Sequence, residues 1–183
     1  MISVSGKIWT EKKVNKNLIE KFKQDYGFGD ILSKLIISRN YDLSEIYGIN
    51  NKQKLKNIFK DDKDFQKSSQ ILIKAINNNE NICILGDYDV DGACATSLLV
   101  RYFNHINQKH FFYIPNRIED GYGASKKLFQ KLILKKPKLI IMVDCGSTSN
   151  EAIDYLNKYQ IKSIIIDHHE INKPYPKSNT IIN

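Results

Sequence analysis

Arginine is scarce in this chain: Arg39, Arg101 and Arg117 are the only three among 183 residues, although Lys and Arg together number 28 against 20 acidic residues. The resulting charge of +8 and pI near 9.2 suit a polyanionic partner. Richness in Lys, Asn and Ile is also what an AT-rich coding sequence produces, so the charge permits nucleic-acid binding without establishing it. Long apolar runs are missing too. Leu139–Val143 falls far short of the about 20 residues that cross a bilayer, which argues against a membrane partner. The opening residues, Met-Ile-Ser-Val-Ser-Gly-Lys-Ile-Trp-Thr, lack the apolar core of a secretory signal, so the cytoplasm is the expected location. Cysteine is limited to Cys83, Cys94 and Cys145, an odd number that argues against a disulfide framework. All three are expected to be small buried side chains.

There is no internal repeat, and no low-complexity stretch beyond Asn77–Asn79. Residues 1–60 show helical periodicity in pieces (Leu18, Ile19, Phe22; Ile31, Leu32, Leu35, Ile36; Leu43, Ile46, Tyr47), divided by polar or Gly-containing breaks. They read as a small helical N-terminal region. From residue 61 a long helix is expected up to Asn79. Strands at 82–85, 111–114, 139–143, 163–166 and 180–182 then alternate with helices at 93–106, 125–134 and 150–159. That alternation implies βαβ units, hence an α/β domain over 61–183: a parallel sheet with helices on both faces. In such sheets ligands bind beyond the carboxyl ends of the strands.

The unusual residues of the sequence fall at those ends. Asp87, Asp89 and Asp91 alternate after the first strand, and in extended backbone all three would share one face. Convergent carboxylates repel unless a cation lies between them, so the stretch reads as half of a metal site. An EF-hand is excluded because its twelfth position is Leu98 rather than Glu, and a phosphate-binding P-loop is excluded because its Lys and glycines are absent. Asp144 ends the most apolar strand and precedes Gly146 and three hydroxyl residues. By itself this is as well read as a capped strand-to-helix turn, but beside a second acidic cluster it becomes a candidate ligand. Asp167, His168 and His169 end the next strand. Carboxylates with imidazoles suit Mn²⁺, Fe²⁺ or Zn²⁺, and carboxylate-rich sites favour Mn²⁺ or Mg²⁺. The groups suffice for two ions about 3.5–4 Å apart. Arg117 follows the second strand, where a phosphate contact is plausible for a residue so rare in this chain. Gly121 and Gly123, beside Tyr122, would let backbone approach a ligand.

Gly-Asp-Tyr-Asp-Val-Asp-Gly, Pro-Asn-Arg-Ile-Glu-Asp-Gly-Tyr-Gly, Val-Asp-Cys-Gly-Ser and Asp-His-His, in this order, resemble the first part of the RecJ family of single-strand-specific DNA exonucleases in the DHH phosphoesterase superfamily. The resemblance covers residues 61–183 strongly and the N-terminal helices more loosely. It implies a hydrolase: a 5′-to-3′ exonuclease on single-stranded DNA that uses Mn²⁺ or Mg²⁺ as two ions in DNA repair and recombination. A helicase or a single-strand-binding protein would be a candidate partner, and a monomer is favoured. The resemblance places Asp87 and Asp89 on one ion, Asp91 on the other and Asp144 between them. His168 would be a ligand of the second ion, and His169 would touch the scissile phosphate or a metal. Asp167 would orient an imidazole from outside the ligand set. Arg117, Gly121, Tyr122 and Gly123 would lie near the substrate backbone. The family carries a further metal-binding Asp and a second domain. No Asp follows Asp167 here, so the domain is expected to be truncated at its C-terminal end and its activity alone to be doubtful.

Overall fold

In a computed structural model, the structure describes residues 3–8, 10–51, 57–121 and 123–183. The chain divides into two compact units, Met1–Lys56 and Asn57–Asn183, whereas the sequence pattern places the division at 60/61.

The first unit carries α1 (Lys16–Tyr26), α2 (Asp30–Arg39) and α3 (Leu43–Asn50). Asn15 caps α1, and Asp42 with Glu45 forms a capping box on α3. A small core gathers Phe28, Ile36 and Ile46 with Phe22 and Tyr26. Ile31 and Leu35, expected on the apolar face of α2, are exposed, because α2 turns Ser33 and Ile36 inward instead.

The second unit contains α4 (Lys63–Asn77), β1 (Ile82–Leu85), α5 (Val90–His105), β2 (His110–Tyr113), α6 (Lys126–Leu132), β3 (Leu139–Val143), α7 (Asn150–Lys158), β4 (Lys162–Ile166) and β5 (Thr180–Ile182). A single 3-10 turn, Ile133–Lys135, extends α6. Among the described residues the sheet has five strands in the order β2-β1-β3-β4-β5, and every pairing is parallel. The α/β class read from the alternation is the one observed.

Side-chain alternation divides the core in two. Ile82 and Ile84 of β1 face α4 and α5, meeting Ala75 and Phe103, with Ile141, Val143 and Ile164 on the same side. Cys83 and Leu85 face α6 and α7, meeting Leu128, Phe129, Ile153 and Leu156. The central strands β1 and β3 are buried along their whole length, which is why they read as unbroken apolar runs. Cys83 and Cys145 are buried as expected. Cys94 is exposed, because it lies on the solvent side of α5.

Register carries the fold to its site. Leu85 lies opposite Met142, and Val143 lies opposite Ile166. Counting on from these pairs, Asp87, Asp144 and Asp167 occupy equivalent positions just beyond three neighbouring strands. Strand order also reverses between β1 and β3, the switch point where open α/β sheets form their ligand crevice.

The turn after β1 is tight. A Cβ on Gly92 would stand 2.5 Å from both the backbone nitrogen and the backbone oxygen of Asp87, so the start of α5 sits directly on the main chain of the acidic loop. Gly121, with φ +80° and nothing within 4 Å of an added Cβ, is constrained by backbone conformation alone. Gly92→Ala is expected to destabilise the fold by about 2 kcal/mol or more, since only backbone could yield. Gly121→Ala should cost about 1 kcal/mol. Urea unfolding of the two variants checks the order.

Candidate metal centre

Asp89 is the N-cap of α5, its Oδ1 accepting from Gly92 N at 3.0 Å. The helix therefore begins at Val90, earlier than the sequence pattern indicates, and extended backbone does not reach Asp91. Asp91 lies within the first turn of α5 and joins neither ligand cluster found among the described residues. The extended-backbone argument for its convergence with Asp87 and Asp89 does not hold, because once capping has started the helix, alternate residues no longer share a face.

Asp87, Asp89 and Asp144 form one cluster, and Asp144, His168 and His169 form another. Within each, one ligand atom per residue lies within 4.8 Å of the others. Asp144 is common to both because β3 runs between β1 and β4.

The three register-equivalent carboxylates are treated very differently. Asp87 is buried, and its Oδ1 accepts from Tyr88 N at 2.7 Å. Asp167 accepts four hydrogen bonds: Oδ2 from Ser147 N at 3.0 Å, and Oδ1 from His168 N at 2.8 Å, His169 N at 3.1 Å and His169 Nδ1 at 2.7 Å. Burial pushes Asp167 up, but the bonds from Ser147 and His169 outweigh it and bring the carboxyl down to about 2. Asp144 is 6% exposed, and neither of its oxygens accepts a hydrogen bond. His168 Nε2 stands 3.0 Å from Oδ1, at ion-pair distance but outside hydrogen-bond geometry. Asp144 also has φ 60°, a left-handed conformation that Asp tolerates better than most residues but still at some cost.

Charge is divided unevenly across the cluster. Burial, and then the neighbouring Asp89, raise the Asp144 carboxyl above its ordinary range. The Gly92 amide holds Asp89 below its own. A buried carboxylate with two orphaned oxygens, beside two further carboxylates and two imidazoles, fits a divalent cation by the chemistry of its donors.

An ionised Asp167 is an acceptor only, so the contact with His169 Nδ1 makes that nitrogen the donor. The hydrogen bond to Asp167 raises the imidazole's pKa and fixes the orientation of the ring. Asn183 closes this side, donating from Nδ2 to Ser147 Oγ at 2.8 Å and to the His169 carbonyl at 2.9 Å. Sequence reasoning missed Asn183, which has no motif around it. A cleft of about 540 Å³ adjoins His169, lined also by Gly123, Ser125, Ser147, Thr148 and Asn150.

Gly123 thus lies at the cleft wall, but Arg117 does not. Arg117 is exposed, its guanidinium carbon 5.4 Å from the centre of the Tyr88 ring. Gly121 is partly buried in the same loop, and Tyr122 lies outside the described residues. The loop is anchored by Asp120, which accepts from Tyr113 Oη at 2.7 Å, Asn116 N at 3.1 Å and Lys131 Nζ at 2.6 Å. Lys131 above all, then Tyr113, lower the Asp120 carboxyl to about 2. This anchor was also not evident in the sequence, where Asp120 reads as an ordinary turn residue.

A parallel α/β sheet with a carboxylate–imidazole double cluster across its switch point defines an α/β protein with a candidate metal centre. Residues 81–183 match the DHH family, N-terminal domain, and the chain belongs to that family. It is 34% identical over 115 residues to the single-stranded-DNA-specific exonuclease RecJ of Dickeya dadantii, an alignment covering 62% of this chain and 20% of that protein. To the RecJ of Bacillus subtilis it is 24% identical over 176 residues, 95% of this chain and 22% of that protein. The chain thus spans about a fifth of the length of these relatives. A crystal structure of exonuclease RecJ bound to manganese matches with a TM-score of 0.61 and 29% identity, covering 66% of this chain and 31% of that one. RecJ of Thermus thermophilus in complex with Mn²⁺, at 20% identity, TM-score 0.59 and coverage of 92% of this chain and 23% of that one, shares the fold.

Two outcomes are expected. Asp144→Asn, which keeps a residue suited to the left-handed region while removing a buried carboxylate charge that no hydrogen-bond donor satisfies, should stabilise the metal-free protein at neutral pH by about 1–3 kcal/mol. Thermal melts in chelator check this. Asp120, lowered from 3.8 to about 2, contributes stability that is present above about pH 4 and is lost as pH falls towards 2. The deficit of Asp120→Asn relative to the unsubstituted chain, measured by circular dichroism melts, should therefore shrink across that interval.

Proposed function

We propose that this chain carries one wall of a two-metal centre that hydrolyses the phosphodiester backbone of single-stranded DNA, releasing nucleotides in the 5′-to-3′ direction with Mn²⁺ or Mg²⁺, as an enzyme of DNA repair and recombination. The observation that carries this reading is Asp144: a buried carboxylate without hydrogen-bond donors, shared by two ligand clusters. Membership of the DHH family, and the names and bound manganese of the RecJ relatives, support the substrate and the metal. No helix among the described residues is long and apolar enough to cross a membrane, which is compatible with a cytoplasmic location.

In this reading the catalytic domain follows the helical N-terminal region. Asp87, Asp89 and Asp144 would hold one ion, and Asp91, Asp144 and His168 would hold the other. Asp91 reaches its ion from the first turn of α5, where its charge is also favoured by the positive end of the helix dipole. The ions, when bound, supply Lewis-acid activation of a water and neutralise charge on the leaving oxygen. His169, its Nδ1 tied to Asp167, presents Nε2 to the phosphate. Its raised pKa keeps a proton on that atom to higher pH, so the ring can donate to a phosphate oxygen. Gly121 and Gly123 would bring backbone close to the substrate strand, and Arg117 would contact its phosphate.

Asp144→Ala should lower Mn²⁺-dependent release of mononucleotides from single-stranded DNA by at least about 10³-fold, and weaken Mn²⁺ binding in calorimetry by at least about 10-fold. Unchanged release would refute the site. A nuclease-resistant linkage at the 5′ end should block release while one at the 3′ end should not, and the opposite result would refute the direction.

A further inference from the structure

Arg117 stands at the carboxyl edge of the sheet, yet no ion pair among the described residues includes it. Its observed partner is the Tyr88 ring, 5.4 Å away. Both sides of this contact are held by fixed frames. Tyr88 lies between Asp87 and Asp89, its N–H donating to Asp87 Oδ1, and Gly92 sits against the Asp87 main chain. Arg117 rides on a loop braced by Asp120, in which Asn116 Oδ1 also accepts from Ile118 N at 2.9 Å. The two loops leave adjacent strands, β1 and β2, from paired positions Leu85 and Tyr113.

We propose that Tyr88 is a positioning residue: its ring holds the Arg117 guanidinium, uncompensated, beside the Asp87–Asp89 wall to receive a backbone phosphate of the substrate strand. The inference rests on the proposed phosphodiesterase function. Its physical basis is the difference between an aromatic and a carboxylate partner. A carboxylate would engage the fork of the guanidinium and cancel its charge. A ring attracts the cation through its quadrupole, leaving the charge and the edge N–H donors for a phosphate. On an edge this rich in carboxylates, an unsupported arginine would be drawn onto one of them. A ring placed between two proposed metal ligands also ties the position of the cation to that of the metals, so that phosphate and metal ligation share one frame.

With three arginines in the chain, the Arg117 Nε–H resonance can be followed directly by NMR. Tyr88→Leu should shift it by removing the shielding of the ring, and Tyr88→Phe should restore it. Binding of a twelve-residue oligothymidylate in chelator, followed by anisotropy, gives the second readout. Arg117→Gln should reduce the slope of log K against log salt by about 0.7, the value for one phosphate contact on a single strand. Tyr88→Leu should weaken binding about 3–5-fold, the effect of losing one exposed cation–π contact. It should have no further effect in the Arg117→Gln background, while Mn²⁺ affinity stays unchanged. A resonance indifferent to Tyr88→Leu, equal weakening in both backgrounds, or loss of Mn²⁺ binding in Tyr88→Leu would overturn the positioning role. If the unsubstituted chain binds Mn²⁺ and DNA while this coupling is absent, the proposed function stands and the inference falls. If it binds neither, both fall.

Discussion

Asp144 is a charge that the fold buries and does not satisfy. Its neighbours in register show that this is not a general property of the sheet edge. Asp167, one strand away, is saturated by four donors and held near the bottom of the carboxylate range, whereas Asp144 has no donor and is pushed up. The same side chain at equivalent positions thus does opposite work. Asp167 fixes the geometry of His169 and the Ser147 loop, whereas neither oxygen of Asp144 accepts a hydrogen bond. A buried carboxylate without hydrogen-bond donors costs stability in the metal-free chain. Its left-handed backbone adds to that cost, and strain of this kind belongs where a ligand supplies the compensation.

The acidic loop is built to hold repelling groups close together. Asp89 serves two purposes at once: it caps α5 through Gly92, and it faces Asp144. The helix amide holds its carboxyl down, while burial and then Asp89 itself push the Asp144 carboxyl up. Gly92 allows this by bringing the first turn of α5 onto the main chain of Asp87, an approach that any side chain would prevent. The adjacent loop after β2 is set by the Asp120 anchor, and Asn183 after β5 closes the far side.

Much of this was legible in the chain. Unbroken apolar runs of four or five residues marked β1 and β3, because strands buried on both faces need no polar alternation. The residues of both ligand clusters were named from their place after such strands, since parallel sheets expose functional groups at their carboxyl ends. The backbone at Asp91 was misread because alternation was taken as strand geometry, while a local hydrogen bond from Gly92 to Asp89 had already started the helix. Cys94 was misjudged for a related reason: small residues on a helix near a motif do not reveal which face is turned outward.

The sequence by itself determined the class of fold, the positions of the turns and the chemistry offered there, because apolar period, capping residues and side-chain type are local properties. Only the tertiary structure decided that β3 runs between β1 and β4, so that Asp144 alone belongs to both clusters. It also decided which carboxylate receives donors and which receives none, that Asn183 reaches back to Ser147 and His169, and that Arg117 rests on Tyr88. Each of these depends on strand order and on contacts between residues far apart in the chain, which no local pattern encodes.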